Sequence, residues 1–102
     1  MARWADFGIF RVRYDLPGTT ITEVEVRGDD GDNFSVPRWV TRHGILKDME
    51  RGMTYVTIVA SGGKLYLGEP VRIMTFRGIQ YIRSDRKATR CDNLGALPEY
   101  YR

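Results

Sequence analysis

The chain reads as an α+β domain, a small twisted antiparallel sheet of about five strands in the order β-β-α-β-β-β with one short helix packed on it. Three observations predict this. Two runs near the N-terminus alternate apolar and polar residues with period two. One segment, 41–52, carries a helical apolar stripe between recognisable caps. Three further β-rich runs follow it, separated by glycine-bearing turns.

The first strand is "IFRVRY", Ile9 to Tyr14. Strict alternation would put Phe10, Val12 and Tyr14 on one face and Arg11 and Arg13 on the other. "DLPGT" then supplies a turn, with Pro17 and Gly18. In the second strand, "TITEVEVR", Thr22, Val24 and Val26 share one face, and Glu23 and Glu25 the other. Paired as a hairpin, the two arginines oppose the two glutamates. Cross-strand opposite charges contribute about 0.2–1 kcal/mol each, so Arg11 and Arg13 are expected to be structural.

"GDDGDN", residues 28–33, is a polar loop whose aspartates alternate like those of a calcium loop. The twelfth position counted from Asp29 is Val40, where that motif needs a bidentate glutamate, so calcium is not expected. The helix is "TRHGILKDMERG". Thr41 suits the N-cap, Val40 can pack on Ile45 as a hydrophobic staple, and Gly52 suits the C′ position after Arg51. Ile45, Leu46 and Met49 form the apolar stripe. A helix this short is marginal alone and must lie on the sheet, with Trp39 expected to pack beneath it or, exposed, to stack on a ligand.

Three strands complete the set: "MTYVTIVA" (Met53–Ala60), "PVRIMTF" (Pro70–Phe76) and "IQYIRS" (Ile79–Ser84). "KLYLGE" connects the first two and reads as partly extended. The turn at Arg77-Gly78 defines a register in which Phe76 faces Ile79, Met74 faces Tyr81, and Arg72 faces Arg83. Two arginines opposed across strands repel. Either a carboxylate from the closing segment, Asp85 or Asp92, offsets them, or an anionic ligand does, with Tyr81 and Met74 beside it for stacking. Buried arginines are normally paired.

Composition bounds the rest. A chain of 102 residues is one domain, since a single core commonly serves about 100–200. Its 42% apolar and 28% charged residues are ordinary for a globular protein. No apolar run approaches the roughly 18 residues that span a bilayer, and no secretory leader is evident. The expected location is cytoplasmic, in a bacterial cell or one carrying a phage. With one cysteine (Cys91) and one histidine (His43), neither an internal disulfide nor a Cys/His zinc site is expected. No Walker loop, GxSxG elbow or HExxH appears, so the expectation is a non-enzyme without cofactor or metal.

The net charge of +3 is unevenly placed. Residues 1–76 hold ten basic and ten acidic groups, while 77–102 hold six basic against three acidic. Arginine, suited to bidentate binding of phosphate or carboxylate, makes up thirteen of the sixteen basic residues. Arg72, Arg83, Arg86, Lys87 and Arg90 are the candidate anion ligands, and Tyr81 and Trp39 the stacking candidates. The closing segment "DNLGALPEY" reads as a structural clasp. Leu94 and Leu97 would cover apolar surface beside Pro98, Asp92 or Asn93 would fix the turn, and Asp85 would belong to the same clasp.

Taken together, "VRYD", "ITEVEV", "TRHGILKDMERGMTYVT", "EPVRIMTFRGIQYIRSD" and "DNLGALPEY" resemble a family of small bacterial and phage proteins, the domain of unknown function number 3892. The resemblance covers nearly the whole chain. Its most specific pieces are Tyr81-Ile82-Arg83 with Asp85, and Asp92-Asn93-Leu94 with Leu97-Pro98. It implies a compact standalone domain and no particular activity.

Two functions lead, ahead of a third, a hydrolase assembled from scattered carboxylates. One is a binding module for a nucleotide or nucleic acid, for instance a phage counter-defence protein that sequesters a nucleotide signal, its pocket completed by homo-oligomer formation. The other is a protein-interaction module or inhibitor whose arginines meet carboxylates and which ignores nucleotides. No membrane association is expected of either.

Overall fold

A computed structural model describes residues 4–16, 18–31, 33–85, 90–95 and 97–101, the last three of these by backbone alone. The elements are β1 (Phe7–Tyr14), β2 (Ile21–Gly28), β3 (Arg38–Thr41), α1 (Arg42–Glu50), β4 (Tyr55–Ser61), β5 (Lys64–Pro70), β6 (Arg72–Phe76), β7 (Ile79–Arg83) and β8 (Glu99–Tyr101). The α+β class is as expected. The sheet is larger and less uniform than alternation implied. Six strands form a mixed sheet in the order β3-β2-β1-β4-β5, with β8 also on β1, and β6 and β7 form a second sheet of two.

β1 organises the large sheet. One edge takes β2 antiparallel along its whole length. The other edge is shared: its first half takes β4 in parallel at Phe7–Ile9, its second half β8 in parallel at Val12–Tyr14. Val12 N–H donates to the Pro98 carbonyl at 3.1 Å as β8 enters. Parallel neighbours at β1 require long crossovers, and the chain between supplies them.

The expected pairs Arg11–Glu25 and Arg13–Glu23 are both present, at 3.5 and 2.6 Å. A bulge between Ile9 and Arg11 inserts Phe10 into the ladder. An inserted residue shifts the alternation. Ile9, Val12 and Tyr14 therefore enter the main core, while Phe10 joins a second cluster with Ala5, Val56, Ile58 and Phe34 on the opposite face. The expected grouping of Phe10 with Val12 and Tyr14 is corrected on this point. A second bulge beside Tyr14 puts Ile21, rather than Thr22, into the core.

The main core lies between the large sheet and a layer made of α1, the β6–β7 hairpin and the closing segment. It gathers Ile9, Val12, Val24, Val26, Ile45, Tyr55, Ile82, Leu94 and Leu97, all 4% exposed or less. Thr41 caps α1, its Oγ1 accepting from Gly44 N–H at 3.2 Å. At the other end Gly52 adopts φ +89°. Gly52 N–H donates to Met49 O and Met53 N–H to Asp48 O, both at 3.0 Å. That pair of bonds is a Schellman closure, which needs the left-handed residue that glycine provides without strain.

Trp39 does not pack beneath the helix. It lies in β3 opposite Glu25, on the face away from α1, 39% exposed with the Arg13 guanidinium 4.5 Å over its ring. Val40, the next residue along the strand, takes the inward position, partly buried against the main core.

Candidate functional site

The β6–β7 hairpin has the expected register: Arg72 faces Arg83, Ile73 faces Ile82, Met74 faces Tyr81, and Phe76 faces Ile79. Arg77 and Gly78 form its turn with φ of 51° and 79°. Two consecutive positive φ values make a type I′ turn, whose twist matches that of the strands. Ile82 and Ile73 face the core. Arg72, Met74, Phe76, Ile79, Tyr81 and Arg83 occupy the other side.

One residue offsets both opposed arginines. Arg83 is only 3% exposed, and its Nε and a terminal nitrogen grip the Asp85 carboxylate at 2.7 and 2.8 Å. Its remaining terminal nitrogen donates to the Cys91 carbonyl at 2.9 Å. The hydrogen-bonded Asp85 carboxylate raises the Arg83 pKa above its ordinary value. Arg72 in turn donates from Nε to the Asp85 carbonyl oxygen. Of the two carboxylates considered from the sequence, Asp85 is the partner of Arg83.

Asp92 has a different task. It is 1% exposed and accepts from the backbone N–H groups of Ile21 and Ile82, each at 2.8 Å, and from Arg42. Arg42, the first residue of α1, was not singled out from the sequence. Fifty positions separate it from Asp92, and nothing local marks the pair. The residues that follow Asp92 continue the closing segment. Asn93 bridges in parallel to Arg83, and Leu94 and Leu97 are buried.

At the tip of the hairpin the charge is less compensated. Phe76, 38% exposed, has the Arg90 guanidinium 4.5 Å and the Arg77 guanidinium 5.3 Å from its ring centroid. Neither guanidinium forms an ion pair with a described residue. Arg77 and Phe76 were missed as candidates because "FRGI" reads first as a turn. The available signal was an arginine where a I′ turn favours Asn, Asp or Gly. Arg86 and Lys87 lie outside the described residues.

Of the predicted site residues, Arg72, Arg83 and Tyr81 share the outer face of the hairpin, and Arg90 joins them at its tip. Trp39 is not brought to them, since it stands on the far face of the large sheet. A cleft of about 500 Å³ at the base of the hairpin is lined by Glu69, Pro70, Arg72, Ser84 and Asp85. Its mixed charge and the engagement of Asp85 by Arg83 make the tip the more anion-seeking end. Among the described residues no group of three or more His, Cys, Asp or Glu side chains could hold a metal ion. No helix among them is long and apolar enough to cross a membrane.

No protein-family model, no curated protein and no solved structure matches the chain. The resemblance to the domain-of-unknown-function family therefore rests on the residues quoted for it.

Proposed function

We propose that this protein is a small non-enzymatic binding module for an anionic partner carrying an aromatic base, a nucleotide or a short single-stranded nucleic acid. The outer face of the β6–β7 hairpin is the contact. The observation that supports this reading is the pair of guanidinium groups, Arg77 and Arg90, set over one exposed ring with no carboxylate among the described residues paired to them. Arginine supplies bidentate donors to phosphate, and Phe76 supplies a face for a base. Tyr81 and Met74 extend that face along the strands.

Residues 77–102 carry the excess positive charge and the whole chain is only +3, which favours a small ligand over a long duplex footprint. A role for a phage-encoded copy in sequestering a nucleotide signal is one biological form of the same chemistry.

A thermal-shift panel of nucleotides and short oligonucleotides at low salt tests this, because a ligand that binds only the folded state raises its melting temperature. Stabilisation that weakens with added salt, and is lost in Arg90→Ala and Phe76→Ala, is expected. No stabilisation by any phosphate-bearing ligand at low salt refutes the proposal. Turnover of the bound ligand would refute its non-enzymatic character.

A further inference from the structure

We propose that the outer edge of β5 is a self-association surface, on which a second copy of this chain adds its own β5 antiparallel about a dyad at Tyr66. The large sheet ends at β5, and among the described residues no strand pairs with its outer edge. Exposed edges are ordinarily blunted by charge, proline or bulges. Here those devices stand only at the ends, Lys64 at one and Glu69, Pro70 and the bulge opposite Thr57 at the other. The middle is Leu65, Tyr66 and Leu67, respectively 41, 52 and 50% exposed. Apolar side chains thus project from both faces of a free edge, and Val59, opposite Tyr66, adds a fourth at 38%.

The backbone selects one register. The two-residue turn Gly62-Gly63, with φ of 58° and 77°, closes on the pair Ser61–Lys64. Residues of an antiparallel strand alternate in which side their N–H and C=O groups face. Lys64 and Tyr66 therefore turn theirs toward β4, and Leu65 and Leu67 turn theirs outward. A second β5 centred on Tyr66 places Leu65 opposite Leu67 of the other copy, twice. Each such pair is a hydrogen-bonded pair, so all four outward residues are satisfied. Tyr66 then meets its own counterpart on one face, and four leucines meet on the other.

Charge complements this register. The bulge of β5 opposite Thr57 brings Gly68 and Glu69 to the position facing Lys64 of the second copy, once at each end. Any other antiparallel register loses either the leucine pairs or this ionic match. A parallel copy would not be related by a closed two-fold, and would leave a new edge exposed. The contact is short, below the roughly 1,200 Å² of stable specific interfaces, so a weak, concentration-dependent dimer follows.

The test needs no ligand and is independent of the nucleotide-binding proposal. Sedimentation over a wide concentration range should give a reversible monomer–dimer equilibrium. Leu67→Lys, at a half-exposed position, should keep the monomer's melting profile and move the midpoint at least about tenfold higher in concentration. In a Cys91→Ser background, Tyr66→Cys should oxidise to a disulfide-linked dimer, because residues at a non-hydrogen-bonded dyad are about 4.5 Å apart. Leu65→Cys, whose own counterpart lies two residues out of register, should not. A monomer at every concentration, a dimer indifferent to Leu67→Lys, or cross-linking through Leu65→Cys in preference to Tyr66→Cys overturns the proposal. The first of these outcomes would leave the edge to a different protein.

Discussion

Asp92 and Arg42 form a two-pronged ion pair, Nε to one carboxylate oxygen at 2.8 Å and a terminal nitrogen to the other at 3.2 Å. The same carboxylate accepts the N–H groups of Ile21 and Ile82. Asp92 N–H donates in return to the Thr19 carbonyl at 2.8 Å. One side chain thus ties the entrance of β2, the second sheet and the first residue of the helix to the closing segment. Arg42 also donates to the Gln80 carbonyl, which extends the tie along β7.

Asp92→Asn should therefore be among the most damaging polar substitutions in the chain. The amide nitrogen would face either Arg42 or a backbone N–H, leaving donors opposed in a buried place. Removing one partner of a buried pair costs about 3–5 kcal/mol. Arg42 retains 26% of its side-chain exposure, so the lower end, about 3 kcal/mol, is the expected loss. Urea denaturation should show it as a lower midpoint at constant slope. Arg42→Gln should cost less, because the two backbone donors to Asp92 remain.

That junction also marks where sequence reading stops. The β6–β7 register, the Arg11–Glu25 and Arg13–Glu23 pairs and both caps of α1 were legible, because each depends on residues close in sequence. The division of one β1 edge between β4 and β8 was not, since the partners lie tens of residues apart and carry no mutual signature. Phe10 was misassigned because a bulge breaks period two without changing composition. At the site, the need for an anion near Arg83 was legible from like charges in register. That Asp85 would meet it, leaving Asp92 to Arg42, depended on how the closing segment turns.

Leu94 carries the apolar half of the clasp. It is 1% exposed in the main core, and its N–H donates to the Tyr14 hydroxyl at 3.0 Å. Leu94→Ala should destabilise by about 2–5 kcal/mol, the range for buried leucine truncation. Leu94→Asp should cost more, because a carboxylate would enter an apolar site. Thermal melting ranks the two. Unchanged melting in Leu94→Asp would mean that the clasp contributes nothing to the fold.

Tyr55 gives the fold an alkaline limit. Burial, and the hydrogen bond of its hydroxyl to Asp48 at 2.6 Å, raise its pKa above the usual value near 10. Since the folded state favours the neutral phenol, this stabilisation is complete below the unfolded pKa of about 10. It declines as pH rises from there toward the folded value. Tyrosinate absorbance should show one of the six tyrosines resisting ionisation until the chain unfolds. Tyr55→Phe should flatten the alkaline decline while losing about 1 kcal/mol at neutral pH.

Arg77 separates stability from binding. Its φ of 51° makes it the one non-glycine among the described residues in the left-handed region, in a turn that prefers Asn or Gly at that position. Residues held there cost about 1–3 kcal/mol, strain that persists where another requirement maintains it. Asn tolerates the conformation better, so Arg77→Asn should raise the unfolding midpoint, by about 0.5–1 kcal/mol, the usual gain from relieving one such position. The same change removes one of the two guanidinium groups over Phe76, and nucleotide affinity should fall by about tenfold, the loss of one charge-assisted contact. Arg77→Ala, which removes the charge without relieving the turn, should lose the affinity and gain no stability. Should Arg77→Asn bind as tightly as the parent chain, the arginine at this turn is explained by neither stability nor the proposed ligand.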